Sequence, residues 1–145
     1  MRACTRARCV AVYLAMRDEL DTAPLIALLR KRGRSVFAPK VRADGSLRFV
    51  RLAGPLVRNR YGIAEPAHGV RAARLDVIVA PLVAFDAQGR RLGMGGGYYD
   101  RLLARTRARR VGYAYAAQEV GAVPATAHDV PLHAIVTEKG FRRFR

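Results

Sequence analysis

Leu75-Asp76-Val77-Ile78-Val79-Ala80-Pro81-Leu82-Val83-Ala84-Phe85 runs straight into Asp86-Ala87-Gln88-Gly89-Arg90-Arg91-Leu92-Gly93-Met94-Gly95-Gly96-Gly97-Tyr98-Tyr99-Asp100-Arg101. The first eleven residues read as a buried strand that Pro81 bends or ends. A turn follows with glycine at four of five positions, 93 to 97, and then a helix predicted from Tyr98 to about Arg107. Glycine lets the backbone bend and approach a ligand without side-chain obstruction. Backbone N–H groups at a helix start form an anion site. Arg91 and Arg101 flank the turn, and a guanidinium pairs with phosphate through two parallel hydrogen bonds. Asp100 adds a hard oxygen donor of the kind that magnesium–phosphate sites use. The turn has no Gly-Lys-Ser/Thr ending and follows the fourth strand-like segment, which argues against both the common P-loop and the dinucleotide fingerprint.

The segments on either side repeat the strand–helix alternation. Val10–Met16 reads as a buried strand. Asp21-Thr22 before Pro24 and the apolar Leu25, Ile26, Leu28 and Leu29 predicts a helix start, with Asp21 or Thr22 as the cap. Arg30, Lys31 and Arg32 suit its last turn and Gly33 ends it. Ser35–Pro39 reads as a second strand. Asp44-Gly45 predicts a hairpin between residues 40–42 and the alternating arm 47–52. Residues 54–69 read as loop. Arg110–Tyr115 and Ala134–Thr137 read as the last strands, followed by a short basic tail of Arg142, Arg143 and Arg145. Strands alternating with helices predict an α/β fold: a three-layer α/β/α domain over residues 1–145, its sheet largely parallel, with one local hairpin.

The chain has 145 residues, 27 basic against 11 acidic, and a formal charge of +16. Lysine occurs only at Lys31, Lys40 and Lys139, so the excess is almost wholly arginine. Such a balance points to polyanion partners, either nucleic acid or a small ligand rich in phosphate or carboxylate, unless it reflects codon bias alone. The arginines are scattered and lack the interleaved aromatics of an RNA-binding surface, so a nucleic-acid partner is not expected. No apolar run reaches the ~20 residues of a membrane helix, and the start of the chain lacks a signal-peptide cleavage pattern. Cys4 and Cys9 match no zinc spacing and read as free thiols of a reducing, cytoplasmic protein. A monomer acting on small molecules is expected.

RLGMGGGYYDR, preceded by PLVAFDAQG, resembles the signature of the 5-formyltetrahydrofolate cyclo-ligase (methenyltetrahydrofolate synthetase) family. Tyr13 with Glu19-Leu20-Asp21-Thr22, then Tyr61-Gly62-Ile63-Ala64-Glu65-Pro66, Gln118, and His128-Asp129-Val130-Pro131-Leu132 resemble further family elements in the same order. The resemblance implies an ATP- and Mg2+-dependent conversion of 5-formyltetrahydrofolate to 5,10-methenyltetrahydrofolate with release of ADP and phosphate. It implies that Arg91, Leu92, Gly93, Met94, Gly95, Gly96, Gly97, Tyr98 and Tyr99 hold ATP, and that Asp100 and Asp129 carry magnesium. Leu14, Glu19, Met94, Gly95, Gly96, Gly97 and Tyr98 would form the folate pocket, with Glu19 on the pterin. Arg91, Tyr99 and Asp100 would be catalytic.

Taken singly, these residues have plainer readings. Glu19 also reads as a first-turn acid, Asp129 as an Asx-turn residue, Asp100 as the partner of Arg101 or another arginine, and Tyr13 as core. Members of the family carry a basic helix ahead of the first strand that grips ATP. Here that strand begins about ten residues after Met1, and Arg2, Arg6 and Arg8 leave no room for such a helix before it. The alternatives are a folate- or nucleotide-binding homologue with impaired catalysis, or a basic nucleic-acid-binding protein.

Overall fold

The computed structural model describes residues 7–16, 18–93, 97–124 and 130–145. Among these residues, eleven short strands and two α-helices follow one another as β1 (Cys9–Val12), α1 (Ala23–Lys31), β2 (Ser35–Val41), β3 (Leu47–Arg51), β4 (Leu56–Arg58), β5 (Ala64–Pro66), β6 (Val77–Ala80), β7 (Ala84–Phe85), β8 (Arg91–Leu92), α2 (Tyr98–Arg105), β9 (Arg109–Tyr113), β10 (Ala134–Thr137) and β11 (Gly140–Arg143). A seven-stranded sheet has the order β11-β10-β9-β6-β1-β2-β3. Its five inner strands are parallel, and β3 and β11 close the two edges antiparallel.

The register assigns alternate residues to the two faces. Ala11 pairs with Phe37 on one side and Ile78 on the other. These three share an apolar cluster with Leu103 of α2 and Ile135 of β10. Val10 pairs with Val36 and Val77, and Val12 with Val79. Those valines share the opposite cluster with Ile26 and Leu29 of α1. One helix therefore packs on each face, which gives the three layers expected from the sequence. Burial on both faces also explains why the inner strands are apolar at nearly every position.

The two helices end up on opposite faces because of chain direction. From β1 the chain crosses through α1 to β2, toward the β3 edge. From β6 it crosses through α2 to β9, toward the β11 edge. Both are parallel crossovers, which are right-handed as a rule, so opposite directions across the sheet place the helices on opposite faces. The chain thus parts at β1 and β6, and a crevice opens beyond their carboxyl ends.

Several elements differ from the sequence reading. The first strand stops at Val12 because the chain turns there: Tyr13 Oη donates to Leu20 O at 2.9 Å and Thr22 Oγ1 donates to Tyr13 O at 2.7 Å. Thr22 therefore ties α1 to β1 instead of capping the helix, and Asp21 Oδ1 takes the Ala23 N–H at 2.9 Å. The second strand extends to Val41, paired through the Asp44-Gly45 hairpin with β3. The apolar run 75–85 divides at Pro81 into β6 and β7, and β7 turns back to pair with β8. The supposed loop 54–69 contains the β4–β5 hairpin. The basic tail contains an edge strand, β11.

Leu103 is fully buried under the sheet. Leu103→Ala should cost about 3 kcal/mol of stability, read as a lower urea midpoint with an unchanged denaturant slope.

Candidate active site

The crevice beyond β1 and β6 is a cleft of about 620 Å³, within the ~300–1,000 Å³ usual for small-molecule sites. Tyr13, Leu14, Met16 and Glu19 enter it from the turn after β1, and Pro81 from the turn after β6. Arg91 and Leu92 of β8, then Gly93, Gly97, Tyr98, Tyr99 and Asp100, form its opposite wall. Leu14, Glu19, Arg91, Leu92, Gly93, Gly97, Tyr98, Tyr99 and Asp100, singled out in the sequence, thus meet in one cleft. Met94, Gly95, Gly96 and Asp129 lie outside the described residues.

Arg91 is held rather than waving in solvent, its side chain 3% exposed. Its Nη1 donates to Pro81 O at 3.1 Å and its Nη2 to Asp100 Oδ1 at 3.0 Å. The partner of Asp100 is therefore Arg91, on the same wall of the cleft, not Arg101. The pair fixes the guanidinium and removes much of the ordering entropy that a ligand would otherwise have to overcome. A Cβ at position 93 would lie 2.9 Å from Arg91 Nη1, so only glycine leaves the guanidinium its place. Gly97, at φ +69°, turns the chain into α2 in the left-handed region that glycine adopts without strain. Arg101 stacks on the Tyr98 ring at 5.3 Å.

Glu19 sits across from this wall, and its Oε1 accepts the Met16 N–H at 2.8 Å. Burial raises its pKa, and the Met16 bond only partly counters that. The carboxylate is poorly solvated, which favours a ligand able to donate hydrogen bonds to it. Tyr13 is core as expected, 3% exposed, and burial, followed by the Glu19 charge, pushes its phenol well up.

The β4–β5 hairpin supplies a third wall through Asn59, Tyr61 and Ile63. It is docked on the sheet by Glu65, a buried carboxylate. Glu65 accepts from Val41 N–H at 3.0 Å, Asn59 Nδ2 at 3.1 Å and Lys40 Nζ at 3.2 Å. Burial acts to raise its pKa, but these donors outweigh it and the group sits below the usual Glu value. Tyr61 and Tyr98 both line the cleft, and the Tyr61 side chain acts to raise the Tyr98 pKa. Sequence reasoning took residues 54–69 for loop, because a three-residue strand is too short to show a period; the stretch Tyr61–Pro66 stood out only through its resemblance to the family.

Asp86 is a second missed anchor. Fully buried, it accepts from Gln88 N–H, Arg90 N–H, Arg90 Nε at 2.7 Å and Val123 N–H at 2.9 Å. It thereby ties the β7–β8 hairpin, which carries Arg91, to the chain leading to Pro124 in the cleft wall. Gln118 completes the frame, its Nε2 donating to Leu82 O and Val83 O.

A doubly wound α/β protein with an arginine-walled ligand cleft at the switch point of its sheet is the class that this geometry defines. The profile of the 5-formyltetrahydrofolate cyclo-ligase family matches residues 1–138. The 5-formyltetrahydrofolate cyclo-ligase of Escherichia coli is 44% identical over 142 residues, covering 90% of this chain and 78% of that protein. The Haemophilus influenzae 5-formyltetrahydrofolate cyclo-ligase is 37% identical, covering 90% of this chain and 76% of that one. Among solved structures, Aquifex aeolicus 5,10-methenyltetrahydrofolate synthetase superposes with a TM-score of 0.83 at 39% identity, covering 97% of this chain and 74% of that one. The chain belongs to the 5-formyltetrahydrofolate cyclo-ligase family, ligases of folate metabolism, as the resemblance of its glycine-rich turn indicated.

The Asp86 anchor has a consequence in acid. Burial acts against the charged form, yet the Val123, Arg90 and Gln88 donors hold the folded carboxyl below its ordinary value. Its contribution is fully present above the unfolded pKa of about 3.9 and is lost as pH falls through the lower folded value. Asp86→Asn should cost about 3 kcal/mol at pH 7, and urea melts from pH 7 to 3 should show a flatter acid slope than the wild type.

Proposed function

We propose that this chain converts 5-formyltetrahydrofolate to 5,10-methenyltetrahydrofolate with ATP and Mg2+, releasing ADP and phosphate. The observation that carries the reading is the convergence, in one cleft, of a poorly solvated acceptor at Glu19 and a tethered guanidinium at Arg91 on a glycine-rich turn. The first suits a pterin, whose ring N–H and amino groups are donors. The second suits phosphate.

In the first step the formyl oxygen attacks the γ-phosphorus. An O–P bond forms, the bond to the β–γ bridging oxygen breaks, and ADP leaves. In the second step N10 of the folate attacks the formyl carbon and gives up its proton. A C–N bond forms, the C–O bond breaks, and phosphate leaves. Phosphoryl transfer asks the protein mainly to position the reactants and to neutralise charge. On this reading Arg91, with the turn from Leu92 to Tyr99 including Met94, Gly95 and Gly96, cradles the phosphates. Leu14, Glu19, Gly97 and Tyr98 hold the folate. The Arg91 tether to Pro81 and Asp100 sets where the phosphate sits before any ligand arrives.

The donor set fits magnesium. Asp100 lines the cleft with its side chain 37% exposed, beside the guanidinium that would hold phosphate. Mg2+ is commonly bound by one or two carboxylates together with substrate phosphates. Asp100, with Asp129, would hold it, and the ion supplies charge neutralisation on the phosphoryl oxygens. Among the described residues no helix is long and apolar enough to cross a membrane, and we place the reaction in the cytoplasm.

The test is the rise in methenyltetrahydrofolate absorbance on mixing protein, 5-formyltetrahydrofolate, ATP and Mg2+. Turnover with stoichiometric ADP is expected; ligand-induced thermal stabilisation without ADP release would instead make the chain a binding protein. Arg91→Lys, which keeps the charge and loses the fork, should lower kcat/KM for ATP by about 100-fold. Glu19→Gln should raise KM for the folate by about tenfold, the loss of one charge-assisted hydrogen bond. Because burial raises the Glu19 pKa, wild-type kcat/KM for the folate should fall as pH drops through a value above the ordinary Glu pKa of about 4.3. That limb should be absent from Glu19→Gln.

A further inference from the structure

The arginines scattered along the sequence are not scattered in the fold. The five inner strands run parallel, so the residues that lead into them share one end of the sheet, opposite the cleft. Backbone bonds stitch that end together. Ser35 N–H donates to Arg8 O at 2.9 Å, Asp76 N–H to Cys9 O at 2.9 Å, Arg109 N–H to Asp76 O at 3.0 Å, and Phe144 N–H to His133 O at 2.9 Å. Arg8 therefore leads β1 and Arg74 lies just ahead of β6. Arg107 and Arg109 stand at the start of β9, and Arg143 of β11, paired with Ala134, returns to the same level. The helix α1 also ends here, with Arg30, Lys31 and Arg32. All of these side chains are exposed. Among the described residues Asp76 is the one acid in the row, and it is already engaged. It accepts from Arg8 N–H and Cys9 N–H at 3.0 Å each and pairs with Arg74 at 3.4 Å. Asp18, Glu19 and Asp21 follow β1, Asp44 lies between β2 and β3, Asp100 opens α2 and Glu138 follows β10, all toward the cleft end. A helix C-terminus draws cations on its own, which accounts for Arg30 to Arg32. A sheet has little net dipole, so the strand-leading arginines have no such cause within the fold.

We propose that this end of the sheet binds the phosphate backbone of double-stranded RNA without reading its sequence. The inference stands apart from the reaction proposed above, since no residue of the row lines the cleft. Six adjacent strands, β11 to β2, contribute to the row, and strand spacing gives it a length of about 24 Å. A duplex carries about one charge per 2 Å of axis, so several guanidiniums meet phosphates at once. Each can hold a phosphate through two parallel hydrogen bonds, which suits a row made of arginine rather than lysine. The row is formed by the ends of strands and of α1, not by a helix or ribbon laid out to enter the major groove of DNA. A flat edge suits the wide, shallow side of A-form RNA, which proteins recognise through phosphates and 2′-hydroxyls. The exposed aromatics Tyr61, Tyr115 and Phe141 lie outside the row, so it offers no stacking platform for a single strand. It also lacks the apolar anchors of a membrane-binding surface.

The test is fluorescence anisotropy of a labelled RNA duplex of about 20 base pairs, titrated with the full chain at salt between about 50 and 200 mM. Binding is expected, with a log–log salt slope of about −5. Arg74→Gln, Arg109→Gln and Arg143→Gln combined should weaken it by about 100-fold at the lower salt and flatten the slope by about 3. Arg42→Gln, Arg48→Gln and Arg60→Gln combined remove the same charge from positions toward the cleft end and should weaken it by less than about threefold. All six side chains are exposed, so neither set disturbs the core. No binding by the wild type at the lower salt overturns the proposal. So does an equal loss in the two triple variants, which would reduce the attraction to net charge. Duplex DNA of the same sequence bound as tightly overturns the choice of RNA, and vesicles rich in phosphatidylglycerol bound in preference to the duplex overturn it in favour of a membrane.

Discussion

Two right-handed crossovers that leave adjacent strands in opposite directions are the constraint on which the rest depends. β1 sends its chain one way across the sheet and β6 sends its chain the other way. No helix can cover the ground beyond their carboxyl ends, because each is carried off to its own face. The cleft is therefore a result of topology before any side chain is chosen. The residues that reach it are those just past the two strands: Leu14 and Glu19 after β1, Pro81 and then Arg91 after β6. The apolar alternation that makes the strands pack also sets these positions, since a register slip of one residue would exchange the two clusters between the faces.

Around that opening the protein uses buried carboxylates as clamps. Glu65 fastens the β4–β5 hairpin to Lys40 and the Val41 N–H, and Asp86 fastens the β7–β8 hairpin to Val123. Each collects three or four donors, which is how a charge with little water around it remains ionised. Both clamps hold short hairpins, too small to be stable alone, against the sheet. Those hairpins carry the cleft's outer wall and Arg91, so the geometry of the site depends on these two buried carboxylates. Arg91 follows the same logic at closer range, with Pro81 O and Asp100 fixing its fork.

Much of this was legible in the residues. The run 75–85, the Asp44-Gly45 hairpin, the Pro24–Gly33 helix and Ala134–Thr137 each carry a strong local pattern, and so does the glycine-rich turn with its following Tyr98, Tyr99 and Asp100. The short strands β4, β5, β7 and β8 were not legible as strands, since two or three residues make no period. Their pairing is bought by contacts far away in the chain. Thr22 shows the same limit: it reads as a cap, yet it hydrogen-bonds Tyr13 O, a contact visible only once α1 and β1 are adjacent.

The sequence by itself determined the element types, the α/β class and the chemical character of the glycine-rich turn, because propensity, periodicity and turn residues act over a few neighbouring positions. Tertiary structure decided that Glu19, Arg91 and Tyr99 share one cleft, that Asp100 pairs with Arg91 instead of Arg101, and that Glu65 and Asp86 are anchors. Those outcomes rest on burial and on hydrogen bonds between residues far apart in the chain, such as the 37-residue span from Asp86 to Val123. Such contacts come into being only when the crossovers bring distant segments together, and no local pattern encodes which donor a buried carboxylate will find.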